Sequence, residues 1–200
     1  MKEYYFDKLL NIRTAGKGSM EEPGHYHPYE PTPYSALETL FQQYEVKPND
    51  HIVDFGCGKG RLIFFIHYFY HATVTGVDRS ESFIRQAMEN RERYGSRFKN
   101  SLEKVQFQCC LAENYRVDSQ ENRFYFFNPF SVQIFISVIN NIMKSVEGHP
   151  RDVEVILYYP SEDYIYYLVT NTPFNLKCEI QLTNLYEKDT SERFLIYQLT

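Results

Sequence analysis

The sequence predicts an α/β fold: a doubly wound, mostly parallel sheet of seven strands, with helices on both faces and a C-terminal antiparallel hairpin. Three observations support this prediction. From residue 35 onward, short apolar runs typical of buried strands alternate with segments whose apolar residues recur at helical spacing. A glycine-rich turn follows the first strand. The last two predicted strands, 174–182 and 194–199, are joined by a polar connection, 186–192, with no helix between them, which predicts a hairpin at the sheet edge.

Turn and cap residues delimit the individual elements. Lys47-Pro48-Asn49-Asp50 forms a turn before the first strand, and Ser80 is a suitable N-cap for the helix after the second. In the alternating part we predict strands over 51–55, 73–77, 105–109, 123–127 and 153–158, and helices over 35–44, 60–70, 81–94, 132–146 and 162–170. Strands that alternate with helices pair in parallel.

The first thirty-odd residues differ from the rest. A short helical pattern over 4–12 is followed by a stretch rich in glycine and proline, which ends in Pro28, Pro31 and Pro33. Proline favours extended or turn backbone. We therefore divide the chain into an N-terminal arm or lid, residues 1–33, and one domain, residues 34–200.

The composition indicates a soluble cytoplasmic protein and excludes several classes. The chain has 200 residues, 43% of them hydrophobic, and a formal net charge of −5. The strongly basic surface of a general nucleic-acid binder is absent. The N-terminus lacks the apolar core of a signal peptide, and the longest apolar stretch, 62–70, is too short to span a bilayer. The four cysteines form no CxxC pair, in keeping with a reducing compartment.

The strongest motif lies between the first strand and its helix, where the chain reads Val53-Asp54-Phe55-Gly56-Cys57-Gly58-Lys59-Gly60-Arg61. Glycine permits a tight turn and close approach of a ligand to the backbone. The free N–H groups of the following helix favour an anionic ligand group such as a carboxylate. The spacing is GxGxG, and Arg61 stands where the nicotinamide-cofactor pattern GxGxxG requires its last glycine.

An acidic residue ends the second strand. Asp78 follows Gly56 by 22 residues, close to the spacing of about 20 residues at which an acid meets the ribose hydroxyls of a nucleoside cofactor. The alternative for Asp78 is a cap of the next helix beside Ser80. The pair of motifs predicts a nucleoside-cofactor site.

With these residues the chain resembles the class I S-adenosylmethionine (SAM)-dependent methyltransferases over residues 34 to 200. Asp54, Gly56, Gly58 and Gly60 are similar to their first motif, and Asp78 to their ribose-binding acid. The resemblance implies SAM as cofactor and methyl transfer by direct displacement. It also implies adenine contacts just after the third strand, at Leu111, Ala112 and Glu113. The sequence departs from the family here, since Leu111 replaces the usual acid and Glu113 lies two residues further on.

The fourth strand ends in a second motif. Asn128-Pro129-Phe130 is similar to the Asn-Pro-Pro-Tyr motif of methyltransferases that act on planar nitrogens. That resemblance implies that Asn128 and the Pro129 carbonyl hold an acceptor nitrogen and that Phe130 stacks on the acceptor. The alternative is a turn that ends the strand. We expect Tyr34 or Glu30 to assist removal of a proton from the acceptor.

The methyl acceptor stays open at this stage. We predict a nitrogen on a small molecule or a protein side chain; an RNA or DNA N-methyltransferase and a non-catalytic SAM-binding protein are the alternatives. In methyltransferases the region before the first helix often closes over the cofactor. In its arrangement alone, and not in shared motif letters, the arm also resembles that of the non-SET histone-lysine methyltransferases. A surface arm packed on the sheet is the alternative. His25 with His27, and His67 with His71, lack further ligands at suitable spacing, so no metal is predicted.

Overall fold

A computed structural model describes residues 2–16, 26–98 and 102–199, apart from the side chain of Asn184. The strands are β1 (His51–Phe55), β2 (Thr73–Asp78), β3 (Val105–Cys109), β4 (Arg123–Phe126), β5 (Val153–Tyr158), β6 (Asn175–Gln181) and β7 (Arg193–Leu199). The helices are α1 (Lys2–Leu10), α2 (Tyr34–Gln43), α3 (Arg61–Tyr70), α4 (Glu81–Arg97), α5 (Val132–Gly148), α6 (Glu162–Asn171) and α7 (Thr183–Tyr186). Short 3-10 turns, Leu102–Lys104 and Ala112–Asn114, flank β3.

The seven strands form one sheet in the order β3-β2-β1-β4-β5-β7-β6. The first five pair in parallel, and β7 runs antiparallel to both β5 and β6. The predicted fold class, including the terminal hairpin, is confirmed. In the sheet β1 has β2 on one side and β4 on the other, so the direction in which the chain adds strands reverses at β1. The carboxyl ends of β1 and β4 therefore flank the crevice in which open α/β sheets bind ligands.

The predicted strands agree with the observed ones to within one residue at each end. The connection between the last two strands was predicted to hold no helix, and this is wrong, because α7 forms one helical turn there. Backbone N–H groups of Leu185 and Tyr186 donate to the Leu182 carbonyl in that turn. A single turn is too short for apolar periodicity to show it in a polar segment.

Two hydrophobic cores lie on opposite faces of the sheet. Neighbouring strand residues point to opposite sides, so that Ile52 joins one core and Val53 the other. The first core is formed with α1, α2, α3 and part of α4, the second with α5 and α6. Fully burying an aliphatic or aromatic side chain contributes about 1.5–3 kcal/mol. These cores hold the strand ends, and thereby the site, in place.

The N-terminal segment falls into parts with different surroundings. Helix α1 packs in the first core, where the Phe6 ring stacks on Tyr34 at a centroid distance of 4.7 Å. Residues 17–25 of the predicted arm lie outside the described residues. Residues 26–33 run past the carboxyl ends of β1 and β4, where Tyr26 forms an isolated antiparallel bridge with Phe130. None of the helices in the described ranges is long and apolar enough to cross a membrane.

Candidate cofactor and acceptor site

The glycine-rich loop is bound to β2 and lies against the end of β4. The amides of Gly56 and Cys57 donate to the Val77 carbonyl at 2.8 and 3.1 Å. Gly56 has a φ of +80°, which favours glycine. A Cβ atom on Gly56 would lie 2.6 Å from Cβ of Pro129. The cofactor motif and the acceptor motif, distant in sequence, therefore touch.

Asp78 joins the loop to the start of α4. Its carboxylate accepts from the Gly58 amide and from the Ser80 amide, each at 2.9 Å. The Ser80 hydroxyl in turn accepts from Phe83 N at 3.4 Å, the N-cap bond that the sequence predicts. Asp78 thus combines the two interpretations of its position: it orders the helix start and stands at the carboxyl end of β2 beside the glycines.

Asp54 is a buried carboxyl that lies close to Asp78. Within the described ranges no hydrogen bond to its carboxyl is present, and 6% of the residue is exposed. Burial first, and then the charge of Asp78, raises the pKa of Asp54 to about 8. Two carboxylates at one edge of a sheet favour a cationic partner, because an opposite charge stabilises the ionised form. The site therefore suits an ammonium group.

The turn after β3 presents an amide and a carboxylate side by side. The Ala112 amide donates to the Tyr26 hydroxyl at 3.3 Å, and that hydroxyl donates to Glu113 Oε2 at 2.9 Å. Leu111, at the position where the family has an acid, is 41% exposed. Glu113 is fixed by Asn141, whose side-chain amide donates to the Glu113 carbonyl at 2.8 Å. Glu113 is thus the carboxylate that this turn offers to a ligand.

Asn128 follows β4 in an unusual conformation. Its φ is +40°, and a positive φ in a residue other than glycine stores strain that accumulates at functional sites. Its side-chain Oδ1 is buried and accepts no hydrogen bond from the described residues. A buried polar atom without a partner is costly. An arriving N–H donor would satisfy it.

The arm covers the backbone of this second motif. The His27 amide donates to the Pro129 carbonyl at 3.0 Å, and its ring Nδ1 donates to the Asn128 carbonyl at 2.6 Å. The ring of Phe130 is 1% exposed and packs edge-on against Tyr26 and Phe126. In this arrangement Phe130 is part of the core, and the arm holds the Pro129 carbonyl that the resemblance assigns to an acceptor.

Tyr34 is not brought to the acceptor residues. It is fully buried, and its hydroxyl donates to Asp7 at 2.7 Å. Arg61, also buried, lies over the Tyr34 ring at 4.4 Å and forms an ion pair with Glu3. Burial, and then Asp7, raises the pKa of Tyr34 well above its usual range. Tyr34 therefore ties α1 to α2, and Glu30 is the expected proton acceptor that stays exposed.

Two tyrosines of the arm, Tyr26 and Tyr29, fill the cleft above the cofactor motifs. Tyr29 belongs to the region that the resemblance implies closes over the cofactor, whereas no sequence pattern singles out Tyr26. Tyr26 occupies the turn after β3, as described above. The Tyr29 ring lies against Gly58, where a Cβ atom would meet it at 2.1 Å, and its hydroxyl donates to the Thr14 carbonyl at 2.8 Å. Beside Tyr29 and Asp54 remains a cavity of about 20 Å³, room for about one water molecule.

Three aromatic side chains stand next to the acceptor motif. The Phe127 ring lies 4.5 Å from that of Tyr158 and 6.5 Å from that of Tyr159. Tyr159, directly after β5, has a φ of +49°. This backbone conformation ends the strand at the carboxyl edge of the sheet. Active sites of such sheets lie at that edge, and strained residues are frequent there.

Three carboxylates surround these rings. Tyr158 donates to Glu192 at 2.8 Å and Tyr159 to Asp189 at 2.5 Å. Burial, followed by Glu192 and Glu30, raises the pKa of Tyr158. The bond to Asp189, followed by burial and by smaller effects of Glu192 and Glu30, raises that of Tyr159. We call the three rings and the three carboxylates (Phe127, Tyr158, Tyr159, Glu30, Asp189 and Glu192) the acceptor mouth.

The histidines show no metal site in the described ranges, which contain no cluster of three or more His, Cys, Asp or Glu side chains able to hold an ion. His25 lies outside these ranges. His27 bonds to the Asn128 carbonyl, and His67 Nδ1 lies 2.8 Å from the buried Tyr94 hydroxyl. These two histidines thus have structural contacts.

Comparison with known families decides the identity. A family model described as a methyltransferase domain matches residues 46–147, just over half of the chain. The chain belongs to the class I SAM-dependent methyltransferases. The matched span runs from the turn before β1 to the end of α5 and includes the glycine loop, Asp78 and Asn128.

One curated protein shares part of the sequence, and two solved structures share the fold. This methyltransferase is 31% identical over 81 residues to a protein-lysine N-methyltransferase of Saccharolobus islandicus, a match that covers 40% of the chain and half of that relative. An RNA methyltransferase of Salinibacter ruber, solved with S-adenosylhomocysteine, shares the fold with a TM-score of 0.55 at 15% identity, over 86% of this chain and 93% of that one. A SAM-dependent methyltransferase of Thiobacillus denitrificans, also solved with S-adenosylhomocysteine, has a TM-score of 0.54 at 13% identity, over 86% and 92%.

The residues of this methyltransferase fit its cofactor. Asp54 offers a buried carboxyl to an ammonium group. The first turn of α3, which begins at Arg61, has N–H groups without intrahelical partners that suit a carboxylate. Asp78 ends β2, where the resemblance expects a ribose-binding acid, and the turn after β3 has a donor in the Ala112 amide and an acceptor in Glu113. The cleft that joins these groups is the one that Tyr26 and Tyr29 now fill.

Proposed function

We propose that this methyltransferase transfers the methyl group of SAM to a nitrogen of a protein side chain, with lysine as the first candidate. The observation that carries the proposal is the position of Asn128. Its buried Oδ1 accepts no bond from the described residues, and its neighbour Pro129 lies against Gly56 of the cofactor loop. An acceptor nitrogen that donates to Asn128 would therefore stand beside the cofactor.

The proposal assigns the cofactor contacts to five places. Asp54 holds the ammonium group, and the N–H groups of the first turn of α3 hold the carboxylate. Asp78 holds the ribose hydroxyls, while the Ala112 amide and Glu113 hold the adenine edge. When bound, SAM would supply a methyl carbon on its sulfonium that a nitrogen lone pair can attack, with S-adenosylhomocysteine leaving as the neutral thioether. The chain contributes orientation, which can lower a barrier by about 7–11 kcal/mol when reacting groups are held in line.

The acceptor mouth favours a cationic amine on a flexible stem. The half-buried rings of Phe127 and Tyr159 offer apolar walls for methylene groups, as long cationic side chains require. The buried Tyr158 ring packs against Phe127 and supports that wall. The carboxylates of Glu30, Asp189 and Glu192 attract positive charge. An ammonium must lose a proton before its nitrogen can attack, and Glu30, exposed on the arm, is the proposed proton acceptor. Asn128 accepts an N–H bond and positions the nitrogen, since an amide is a poor base.

Two further functions are distinguishable. A nucleic-acid N-methyltransferase is favoured by the Asn128-Pro129-Phe130 motif, but the net charge of −5 and the carboxylates at the mouth repel phosphates. A non-catalytic SAM-binding protein would bind cofactor without turnover. We also propose that the protein acts in the cytoplasm, a reducing compartment that suits its four free cysteines.

The test is transfer of labelled methyl groups from SAM to polylysine, to RNA and to a protein extract, followed by hydrolysis and identification of the methylated residue. We expect label in methyl-lysine. Asn128→Ala is expected to lower turnover about 100-fold, because misplacement of a reacting group has effects of that order, while S-adenosylhomocysteine affinity changes little. Asn175→Ala, an exposed amide on β6, is the control and should keep full turnover.

Label in RNA alone would contradict the proposal in favour of the nucleic-acid function. Cofactor binding without label in any acceptor would favour the non-catalytic protein. Full turnover by Asn128→Ala would remove Asn128 from the mechanism.

A further inference from the structure

Tyr26 is held by three kinds of contact at the place where the proposed function puts adenine. Its backbone pairs with Phe130, and the next residue, His27, donates its amide to the Pro129 carbonyl. Its hydroxyl lies between the Ala112 amide and the Glu113 carboxylate. The Arg79 guanidinium stands 4.5 Å from the ring centroid, and the Phe130 ring meets it edge-on at 5.6 Å.

These contacts reproduce the chemistry of an adenine ring. A phenol hydroxyl accepts one hydrogen bond and donates one, as adenine does through N1 and its 6-amino group. At Tyr26 the accepted bond comes from Ala112 N–H and the donated one goes to Glu113. A guanidinium binds the face of a planar π system, whether phenol or purine. Burial first raises the pKa of Tyr26, to about 12, so the hydroxyl keeps its proton and remains a donor.

Tyr29 fills the part of the cofactor cleft that lies next to the glycine loop. Its ring covers the Gly58 backbone at contact distance, packs on Phe83 at 4.8 Å and lies 5.0 Å from the Lys59 ammonium. The cavity of about 20 Å³ left beside it is far smaller than the 300–1,000 Å³ of small-molecule sites. The cofactor cleft is thus filled by the chain from its adenine end to its glycine loop.

We propose that the arm residues Tyr26–Tyr29 act as an internal competitor of the cofactor, with Tyr26 occupying the adenine site until adenine displaces it. The inference rests on the proposed function. Because His27 also holds the Pro129 carbonyl, one displacement opens both the cofactor cleft and the acceptor backbone. The apparent cofactor affinity is lowered by the fraction of molecules whose arm is open.

The experiment measures S-adenosylhomocysteine binding by calorimetry for the wild type, Tyr26→Phe and Tyr26→Ala. Tyr26→Phe keeps the ring and removes both hydroxyl bonds, so the closed arm is weakened. We expect about tenfold tighter binding, since a hydrogen bond to a charged group is worth roughly this factor. Tyr26→Ala should bind at least as tightly as Tyr26→Phe. Tyr166→Phe, a hydroxyl removed from a residue 69% exposed on α6, is the control and should leave the affinity unchanged.

Hydrogen exchange gives a second readout that does not depend on activity. In wild type, saturating S-adenosylhomocysteine should speed exchange of the His27 amide, because its bond to Pro129 breaks when the arm leaves. Slower exchange there, together with unchanged or weaker binding by Tyr26→Phe, would make the arm a clamp on the bound cofactor and overturn the inference alone. If neither the wild type nor the Tyr26 variants bind S-adenosylhomocysteine, the proposed function fails with it.

Discussion

The two halves of the site are built in different ways. The proposed cofactor half takes its groups from the ends of the three consecutive strands β1, β2 and β3. Asp54 lies in β1 with Gly56 and Gly58 after it, Asp78 ends β2, and Ala112 and Glu113 follow β3. The acceptor half combines Asn128 after β4 with Tyr159 after β5, Asp189 before β7 and Glu30 of the arm. The residues of the first half can therefore be found from short local motifs. The second half depends on tertiary contacts between the sheet and the arm.

The contact between Gly56 and Pro129 couples the two halves, and a clash introduced there has the largest expected effect on stability. Gly56→Ala places a methyl group where Pro129 already lies, at a φ that disfavours alanine. We expect the free energy of unfolding to fall by roughly 1–3 kcal/mol, with methyl transfer lowered as well because Asn128 shifts. Denaturant titration measures the first effect.

The control for that variant is Gly148→Ala at the end of α5, where an added Cβ meets nothing within 4 Å. It should be neutral or slightly stabilising. Equal stability of both variants would show that the two motifs do not constrain each other.

The buried carboxyl of the cofactor half predicts a pH dependence that the acceptor half does not share. The folded-state pKa of Asp54, about 8, lies above the unfolded value of about 3.9. The folded protein thus binds this proton more tightly, and the contribution of Asp54 to stability falls as pH rises from about 4 to about 8. Asp54→Asn removes that decline, so its stability relative to wild type should improve by roughly 2–3 kcal/mol between pH 6 and pH 8.5.

Denaturant titrations at the two pH values provide the measurement. Asp152→Asn, an exposed carboxyl before β5, should show the same difference from wild type at both. A pH-independent difference for Asp54→Asn would mean that Asp54 is ionised throughout this range in the folded protein.

The smallest effect is expected at the rim of the acceptor mouth. Glu30→Gln removes a negative charge from an exposed position, and exposed charges contribute about 0.2–1 kcal/mol. If Glu30 only attracts the acceptor, KM for polylysine should rise about 2- to 5-fold at unchanged kcat. If it also takes the proton, as proposed, kcat falls and its pH profile shifts. Glu147→Gln, exposed at the far end of α5, should change neither constant.

The difference between the halves explains what the sequence could predict. Strand bounds and the glycine loop follow from local patterns, since apolar runs end at turn residues and Asp78 stands at a fixed spacing from Gly56. The burial of Tyr34 depends on Asp7 and Arg61, whose contacts with it join separate elements. Tyr26 gives no local signal either, because its partners Ala112 and Glu113 lie more than eighty residues away. For the acceptor mouth the sequence does hold a local signal, since Tyr158-Tyr159-Pro160 places two aromatic residues and a turn residue where β5 ends.

The central claim is that the ends of β1 and β2 bind SAM. Calorimetry with SAM and S-adenosylhomocysteine on the wild type and on Asp78→Ala tests it most directly, with circular dichroism to confirm that the variant is folded. We predict binding in the micromolar range for the wild type and its loss in Asp78→Ala, because the ribose hydroxyls lose their carboxylate. Binding that Asp78→Ala leaves intact, or no binding by the wild type together with its Tyr26 variants, would contradict the claim.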